Sequence, residues 1–117
     1  MKKNIICDKS FEFAVRIVNL CKYLKHNKKE YTISNQLLRS GTSIGANISE
    51  GQRGQSMADF AAKMNIALKE AYETEYWLRL LYRTEYISEK EYSSIHPEIM
   101  EIISILISIC KTANNKK

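Results

Sequence analysis

Apolar residues recur at spacings of three and four along four stretches of the chain, which is typical of helices with one buried side. The stretches predict helices over residues 10–25, 32–49, 56–84 and 88–112. Short polar segments separate them, so successive helices are expected to pack antiparallel. No stretch alternates apolar and polar residues for long enough to predict a strand.

The third stretch has the most regular pattern. Its apolar and small positions keep an alternating four-and-three spacing, which is a heptad repeat. These positions are Phe60, Met64, Ala67, Ala71, Thr74, Leu78 and Leu81. The second stretch contains Gly41 and Gly45 inside its predicted helix, although glycine destabilises a helix interior. Small residues in both stretches predict that the second and third helices cross closely.

These patterns predict an all-α, up-down-up-down antiparallel four-helix bundle, with residues 1–117 forming one domain. Composition agrees, because one proline and four glycines are too few for the turns of a β-sandwich or barrel. Gly51 is expected to end the second helix in the left-handed conformation. Pro97 lies inside the last stretch and predicts a kink or a restart of that helix near residues 93–96.

The residues that usually carry catalysis are scarce. Two histidines and three cysteines are not spaced as metal ligands, and no Glu-x-x-His motif is present. A nucleophile elbow and a phosphate-binding glycine loop are also absent. The chain is therefore predicted to be non-enzymatic, without a metal or cofactor. Three unpaired cysteines and no evident leader or membrane span predict a cytoplasmic protein.

Positive charge is concentrated in the first half of the chain. The net charge is +5, yet residues 1–54 hold ten basic and four acidic residues, whereas residues 55–117 hold eight and nine. Such a bias predicts a basic face for a polyanion. The candidate nucleic-acid-binding residues are Lys22, Lys25, Lys28, Lys29, Arg39, Arg53, Lys69, Arg79 and Arg83.

Two groups stand out among these candidates. The lysine cluster comprises Lys22, Lys25, Lys28 and Lys29, at the end of the first helix and in the following loop. The tyrosine stripe comprises Lys69, Tyr72, Tyr76, Arg79 and Arg83, at helical spacing on the third helix. The stripe fits either an RNA contact or a helix interface, since tyrosine serves both. Glu73 and Glu75 beside it weaken its field, so the lysine cluster is the better candidate.

The second helix also carries polar residues on a side that should pack. Ser43, Asn47 and Glu50 follow a four-and-three spacing. Because buried polar groups need hydrogen-bond partners, these side chains are expected to pair with the third helix, or Glu50 with Arg53. A structural role is therefore predicted for the motif formed by Gly41, Ser43, Gly45, Asn47, Glu50 and Gly51.

The segment Ser43-Ile-Gly-Ala-Asn-Ile-Ser-Glu-Gly51, followed by Arg53, Ser56 and Phe60, resembles a family signature. The family is that of bacterial four helix bundle proteins, which includes the proteins encoded by intervening sequences of 23S ribosomal RNA genes. A more distant resemblance is to the accessory variability determinant protein of retroelements. The resemblance implies a left-handed bundle, a homopentamer, a basic surface and a nucleic-acid role.

Several partners are therefore expected. Wide apolar arcs and seven tyrosines leave more apolar surface than one small bundle buries, which favours self-association. Nucleic acid, RNA in the first place, is the expected ligand of the basic surface, and no membrane is expected. The alternative is a scaffold for an acidic protein partner or, as the retroelement relative implies, for a neighbouring enzyme such as a reverse transcriptase.

Overall fold

A computed structural model describes residues 4–116, and this part of the chain contains four helices and no strand. The helices are α1 (Ile5–Asn27), α2 (Thr32–Gly51), α3 (Met57–Arg83) and α4 (Glu89–Lys116). Each helix packs against the next one in the chain, and α4 returns to α1. The predicted all-α four-helix bundle is confirmed.

Side-chain caps set where three of the helices begin. α1 starts five residues earlier than predicted, because the Asn4 side chain accepts a hydrogen bond from the amide of Cys7. Ser56 caps α3 by accepting from the amide of Asp59, at 3.1 Å. Before α4, Ser88 and Glu91 form a reciprocal capping box with distances of 3.0 and 3.1 Å.

The heptad positions of α3 form the centre of the core. All of them are buried except Phe60, which is half-buried and packs against the core. The crossing of α2 and α3 also contains a polar contact, in which the buried hydroxyl of Thr74 lies 2.9 Å from that of Ser40. Every buried side-chain nitrogen or oxygen in the described residues has a hydrogen-bond partner, as a well-packed interior requires.

The two glycines within α2 face α1, and this corrects the prediction that they serve a close crossing with α3. A methyl group at Gly41 would lie 2.8 Å from Cγ2 of Ile17 on α1. Gly45 faces the backbone of Ser10, also on α1, at 3.4 Å, which is ordinary contact. Gly41 is therefore required by its neighbour, whereas Gly45 has room for a methyl group.

Gly51 departs from a further local prediction, and Pro97 departs from one of the two alternatives predicted for it. Gly51 does not adopt the left-handed conformation, and no described glycine has a positive φ. Gly51 is instead the buried last residue of α2, and a methyl group there would lie 2.5 Å from Cε of Met64. The predicted restart near residues 93–96 is absent, because α4 continues without interruption through Pro97.

The seam between α1 and α4 is the sparsest of the four helix contacts. Ion pairs bridge it, between Lys9 and Glu101 at 3.0 Å and between Arg16 and Glu98 at 2.5 Å. Arg16 also donates to the Ser94 carbonyl, one turn before Pro97. By length and composition α4 could cross a membrane, but core helices meet the same criteria, and its apolar side contributes to the core.

Candidate nucleic-acid interface

Because successive helices are antiparallel, the lysine cluster lies at one end of the bundle, which we call the basic end. The end of α1, the start of α2, the end of α3 and the start of α4 meet there. Three of the four lysines are exposed and Lys25 is half-buried. None of the four forms an ion pair within residues 4–116. Their charge is therefore available to a ligand.

A buried carboxylate fixes the loop that carries these lysines. The Glu30 side chain accepts hydrogen bonds from the amides of Ile33 and Ser34, at 2.9 and 2.7 Å, and from the Ser34 hydroxyl at 3.0 Å. These are the amides that the start of a helix leaves without intrahelical partners. Burial would raise the pKa of Glu30, but the hydrogen bonds from α2 lower it below its usual range.

The loop backbone is held on its other side by α1. The Leu24 carbonyl accepts from the amides of both Lys28 and Glu30, each at 3.1 Å. Lys29, between them, adopts a left-handed conformation with φ of 56°, which is uncommon for a residue other than glycine. The loop is thus bound to both helices that it joins.

The tyrosine stripe lies on the outer side of α3. Tyr72 and Tyr76 are 51% and 49% exposed, so neither fills a helix interface within the chain. The Tyr76 ring contacts the Trp77 ring edge-on. The Cζ atom of Arg79 lies over the Tyr76 ring, 5.6 Å from the ring centroid. One face of this ring is therefore occupied by the chain's own arginine.

Carboxylates engage two arginines on this side of the molecule. Arg79 donates twice to Glu75, at 3.1 and 3.2 Å, and Glu75 also contacts His96 at 3.1 Å. Arg39 of α2 pairs with both Glu70 and Glu73 of α3. Burial would raise the pKa of Glu75, but its bonds to Arg79 and His96 lower it below its usual range.

The structure thus separates the candidates into groups. The lysine cluster and Arg83 share one end of the bundle, while Arg53 follows α2 at the opposite end. Lys69 is exposed on α3 between them, and neither it nor Arg53 has an ion-pair partner in the described chain. Arg39 and Arg79 are committed to carboxylates. One surface therefore does not contain all nine predicted residues.

The polar residues of α2 have partners of their own. Ser43 donates to the Arg39 carbonyl and Asn47 donates to the Ser43 carbonyl, both within α2. Glu50 pairs across to Lys63 of α3 at 2.8 Å, rather than with Arg53. The expected pairing with the third helix therefore holds for Glu50 alone.

Sequence reasoning missed two residues of the basic end. Glu30 lies in a polar segment between two predicted helices, where a glutamate before Thr-x-Ser can reach the first free amides of the next helix. Tyr31 stands in the same segment, outside the periodic pattern of either helix, and is 52% exposed.

The described residues contain no group of three or more histidine, cysteine or acidic side chains arranged to hold a metal ion. Cys7, Cys21 and Cys110 are free thiols, and burial raises the pKa of Cys21 to about 11. A thiol with so high a pKa is protonated at neutral pH and is a poor nucleophile.

The model of the 23S rRNA-intervening sequence proteins matches residues 2–108 of the chain. The chain belongs to this family. It is also similar to a crystal structure of a protein of unknown function from the S23 ribosomal protein family of Bacteroides thetaiotaomicron. The two are 62% identical, the match covers 91% of this chain and 98% of the other, and the TM-score is 0.89. No curated protein matches the chain.

Proposed function

We propose that this family member is a non-enzymatic protein that binds the phosphate backbone of nucleic acid through its basic end. One observation carries the proposal: four neighbouring lysines lie at one end of the bundle without a carboxylate partner in the described chain. Free lysines release counterions when they contact phosphates, and this release supplies most of the affinity in backbone binding.

RNA is the first candidate ligand. The name of the family refers to intervening sequences of 23S ribosomal RNA, which supports RNA without identifying a binding partner. Backbone contacts alone do not distinguish RNA from DNA, because both present the same phosphates. A cytoplasmic location is part of the proposal, and three free thiols suit a reducing compartment.

We further propose that the chain assembles with copies of itself. Phe11 and Val15 of α1 are 66% and 42% exposed, and they follow one another by one helical turn. Phe11 borders an apolar groove of about 540 Å³ between α1 and α2, which is also lined by Ala46. Exposed apolar surface of this kind is typical of protein interfaces. Assembly would repeat the lysine cluster and raise avidity for a long strand.

The assembly can be measured directly. Sedimentation should give a mass that is a multiple of 13.6 kDa, and a pentamer is the state that the family resemblance implies. Phe11→Glu should shift the protein toward monomer, whereas Glu12→Gln, at the adjacent exposed position, should not. A wild-type protein that sediments as a monomer at all concentrations would contradict self-association.

Salt dependence tests backbone binding. Affinity for a structured RNA should fall steeply with salt, and Lys22→Gln/Lys25→Gln/Lys28→Gln should flatten the slope by about 2, at roughly 0.7 per lost contact on single strands. Lys29 is left unchanged because of its left-handed backbone. The matched control is Lys9→Gln/Lys63→Gln/Lys111→Gln, which removes the same charge at the opposite end of the bundle.

Two results would contradict the proposal. Binding that is absent at low salt, or insensitive to salt, would exclude backbone recognition. Equal losses in the two triple variants would show that net charge alone is responsible. The alternative function, a scaffold for a protein partner, can be tested by isolating the protein from its native cell with and without nuclease. A protein partner that is retained after nuclease treatment favours the scaffold.

A further inference from the structure

We infer that the basic end binds an unpaired nucleotide strand and that the Tyr31 ring stacks on one of its bases. This inference rests on the proposed function and specifies the form of nucleic acid. The juxtaposition that carries it is a half-exposed tyrosine in a fixed loop, at the end of the bundle that also carries four free lysines.

The Tyr31 side chain takes no part in capping α2. The residue is 52% exposed, and its side chain forms no hydrogen bond to the amides at the start of α2. Only its backbone contributes, because its carbonyl accepts from the amide of Asn35 at 3.1 Å. The side chain therefore contributes no hydrogen bond to the start of α2, and half of the residue is accessible to a ligand.

The backbone that carries Tyr31 is nevertheless well fixed. Glu30, the preceding residue, is 8% exposed and is bonded to the first amides of α2. The Leu24 carbonyl holds the amides of Lys28 and Glu30. A ring on a fixed backbone loses little conformational freedom when a ligand binds, so more of the stacking energy appears as affinity.

These features favour an unpaired strand over a duplex. In a duplex the base faces are stacked on each other, and only edges, sugars and phosphates are accessible. A tyrosine ring can stack only on a base whose face is free, and phosphate contacts from lysines follow the backbone of the same strand. Lysines alone would serve either form; the exposed ring adds a contact that only the unpaired strand can use.

The tyrosine stripe offers an internal comparison. Tyr72 is as exposed as Tyr31, but it lies mid-helix, one turn from Tyr76, whose ring already carries the Arg79 guanidinium. Arg79 itself is bound to Glu75. Tyr72 thus has one unpaired cation nearby in the stripe, Lys69, and the next one, Arg79, is paired, whereas Tyr31 shares its end of the bundle with four unpaired lysines.

Fluorescence anisotropy can test the inference with the full chain. The probes are an oligouridine of about 16 nucleotides, its duplex with oligoadenosine, and the corresponding DNA strand and duplex. The unpaired strands should bind more tightly than the duplexes at equal salt. Tyr31→Ala should weaken binding to the single strand by about tenfold and binding to the duplex by less than twofold. Tyr31→Phe, which keeps the ring, should retain the affinity.

The matched control is Tyr72→Ala, which removes an equally exposed tyrosine and should leave both affinities unchanged. Circular dichroism of each variant should show the same helix content as the wild type. Equal binding of strand and duplex, with no effect of Tyr31→Ala, would overturn this inference and leave backbone binding intact. Failure of all four probes to bind would instead overturn the proposed function, and the inference with it.

Discussion

The lysine cluster and the tyrosine stripe have similar compositions but different surroundings. Both combine cations with an exposed tyrosine. In the stripe, Arg79 is held by Glu75, and the ring of Tyr76 is covered by the same arginine. At the basic end the lysine-bearing loop contains one carboxylate, Glu30, which is buried and directed at the amides of α2. The exposed Glu85, Glu89 and Glu91 lie at the same end, but none of them forms an ion pair with the lysine cluster in the described chain.

This difference shows that counting basic residues along a helix does not measure the field they produce. A cation with a carboxylate 3 Å away presents little net charge to a ligand at longer range. The position of the acidic residues therefore decides which basic surface can bind a polyanion. Substitutions that change the acidic residues or the loop geometry of one surface can therefore be compared with the other surface as a reference.

The largest effect is expected at Glu30. Glu30→Ala should lower the free energy of unfolding by about 2 kcal/mol, because it removes a helix cap and leaves buried amides unsatisfied. Nucleic-acid affinity should fall as well, since the loop loses its anchor. Chemical denaturation measures the first effect. Glu91→Ala, which removes an exposed cap of α4, should cost less, and an equal cost would argue against the importance of burial.

Acidic pH should reduce the stability that the glutamates of both regions contribute to the fold. The pKa values of Glu30, Glu73 and Glu75 lie below their ordinary value of 4.5. A lowered folded pKa contributes stability that is complete above the unfolded pKa and is lost as the pH falls through the folded pKa. The contribution of these three glutamates to the melting temperature should therefore be constant above about pH 5.5 and should decrease below about pH 4.5.

Glu30→Gln separates the two regions in that titration. It should make the acid-induced fall in melting temperature shallower, because Glu30 then has no proton to gain. Glu12→Gln, an exposed carboxylate of α1 without an ion pair in the described chain, should leave the profile unchanged. Identical profiles for both variants would contradict the role of Glu30.

Releasing Arg79 should make the stripe more like the lysine cluster. Glu75→Gln removes the carboxylate that binds Arg79, and it should raise nucleic-acid affinity about threefold at low salt and steepen the salt slope by about 0.7. Glu12→Gln makes the same change in net charge without freeing an arginine. An equal gain in affinity from the two variants would show that pairing does not limit the stripe.

The smallest effect concerns the backbone of the two loops at the basic end. Lys29 and Glu85 both have left-handed φ values, 56° and 67°. Replacing either by glycine should stabilise the fold by about 0.5 kcal/mol, the net of relieved strain and added freedom in the unfolded chain. Only Lys29→Gly should also lower nucleic-acid affinity. A loss of affinity in Glu85→Gly would point to loop geometry rather than charge.

Periodicity predicted the helices well because it reports which side of each helix is buried. The heptad of α3 became the core as expected, and the three connections were placed within a few residues. The pattern could not reveal which neighbour a small residue faces: Gly41 and Gly45 could serve either adjacent helix, and they face α1. Partner choice depends on the rotation of each helix in the bundle, which one helix's spacing does not determine.

The candidate site was predicted in part for a similar reason. Lysines close in sequence at a helix end remain together in the fold, so the lysine cluster was visible from the chain. The partners of Arg39 lie on another helix more than 30 residues away, and no local pattern shows such pairing. Tyr31 could not be predicted as a contact residue from the sequence. Its role depends on the conformation of the loop and on the exposure of the side chain, and both depend on Glu30 and Leu24 rather than on the tyrosine itself.

Residue-by-residue lysine footprinting would show which basic surface contacts nucleic acid. Acetylation of each lysine would be measured by mass spectrometry with and without saturating oligouridine, at low salt. We expect strong protection of Lys22, Lys25 and Lys28, whereas Lys69 and Lys111 should react as in the free protein. Protection of Lys69 equal to that of the lysine cluster, or no protection of the cluster when RNA is bound, would contradict it.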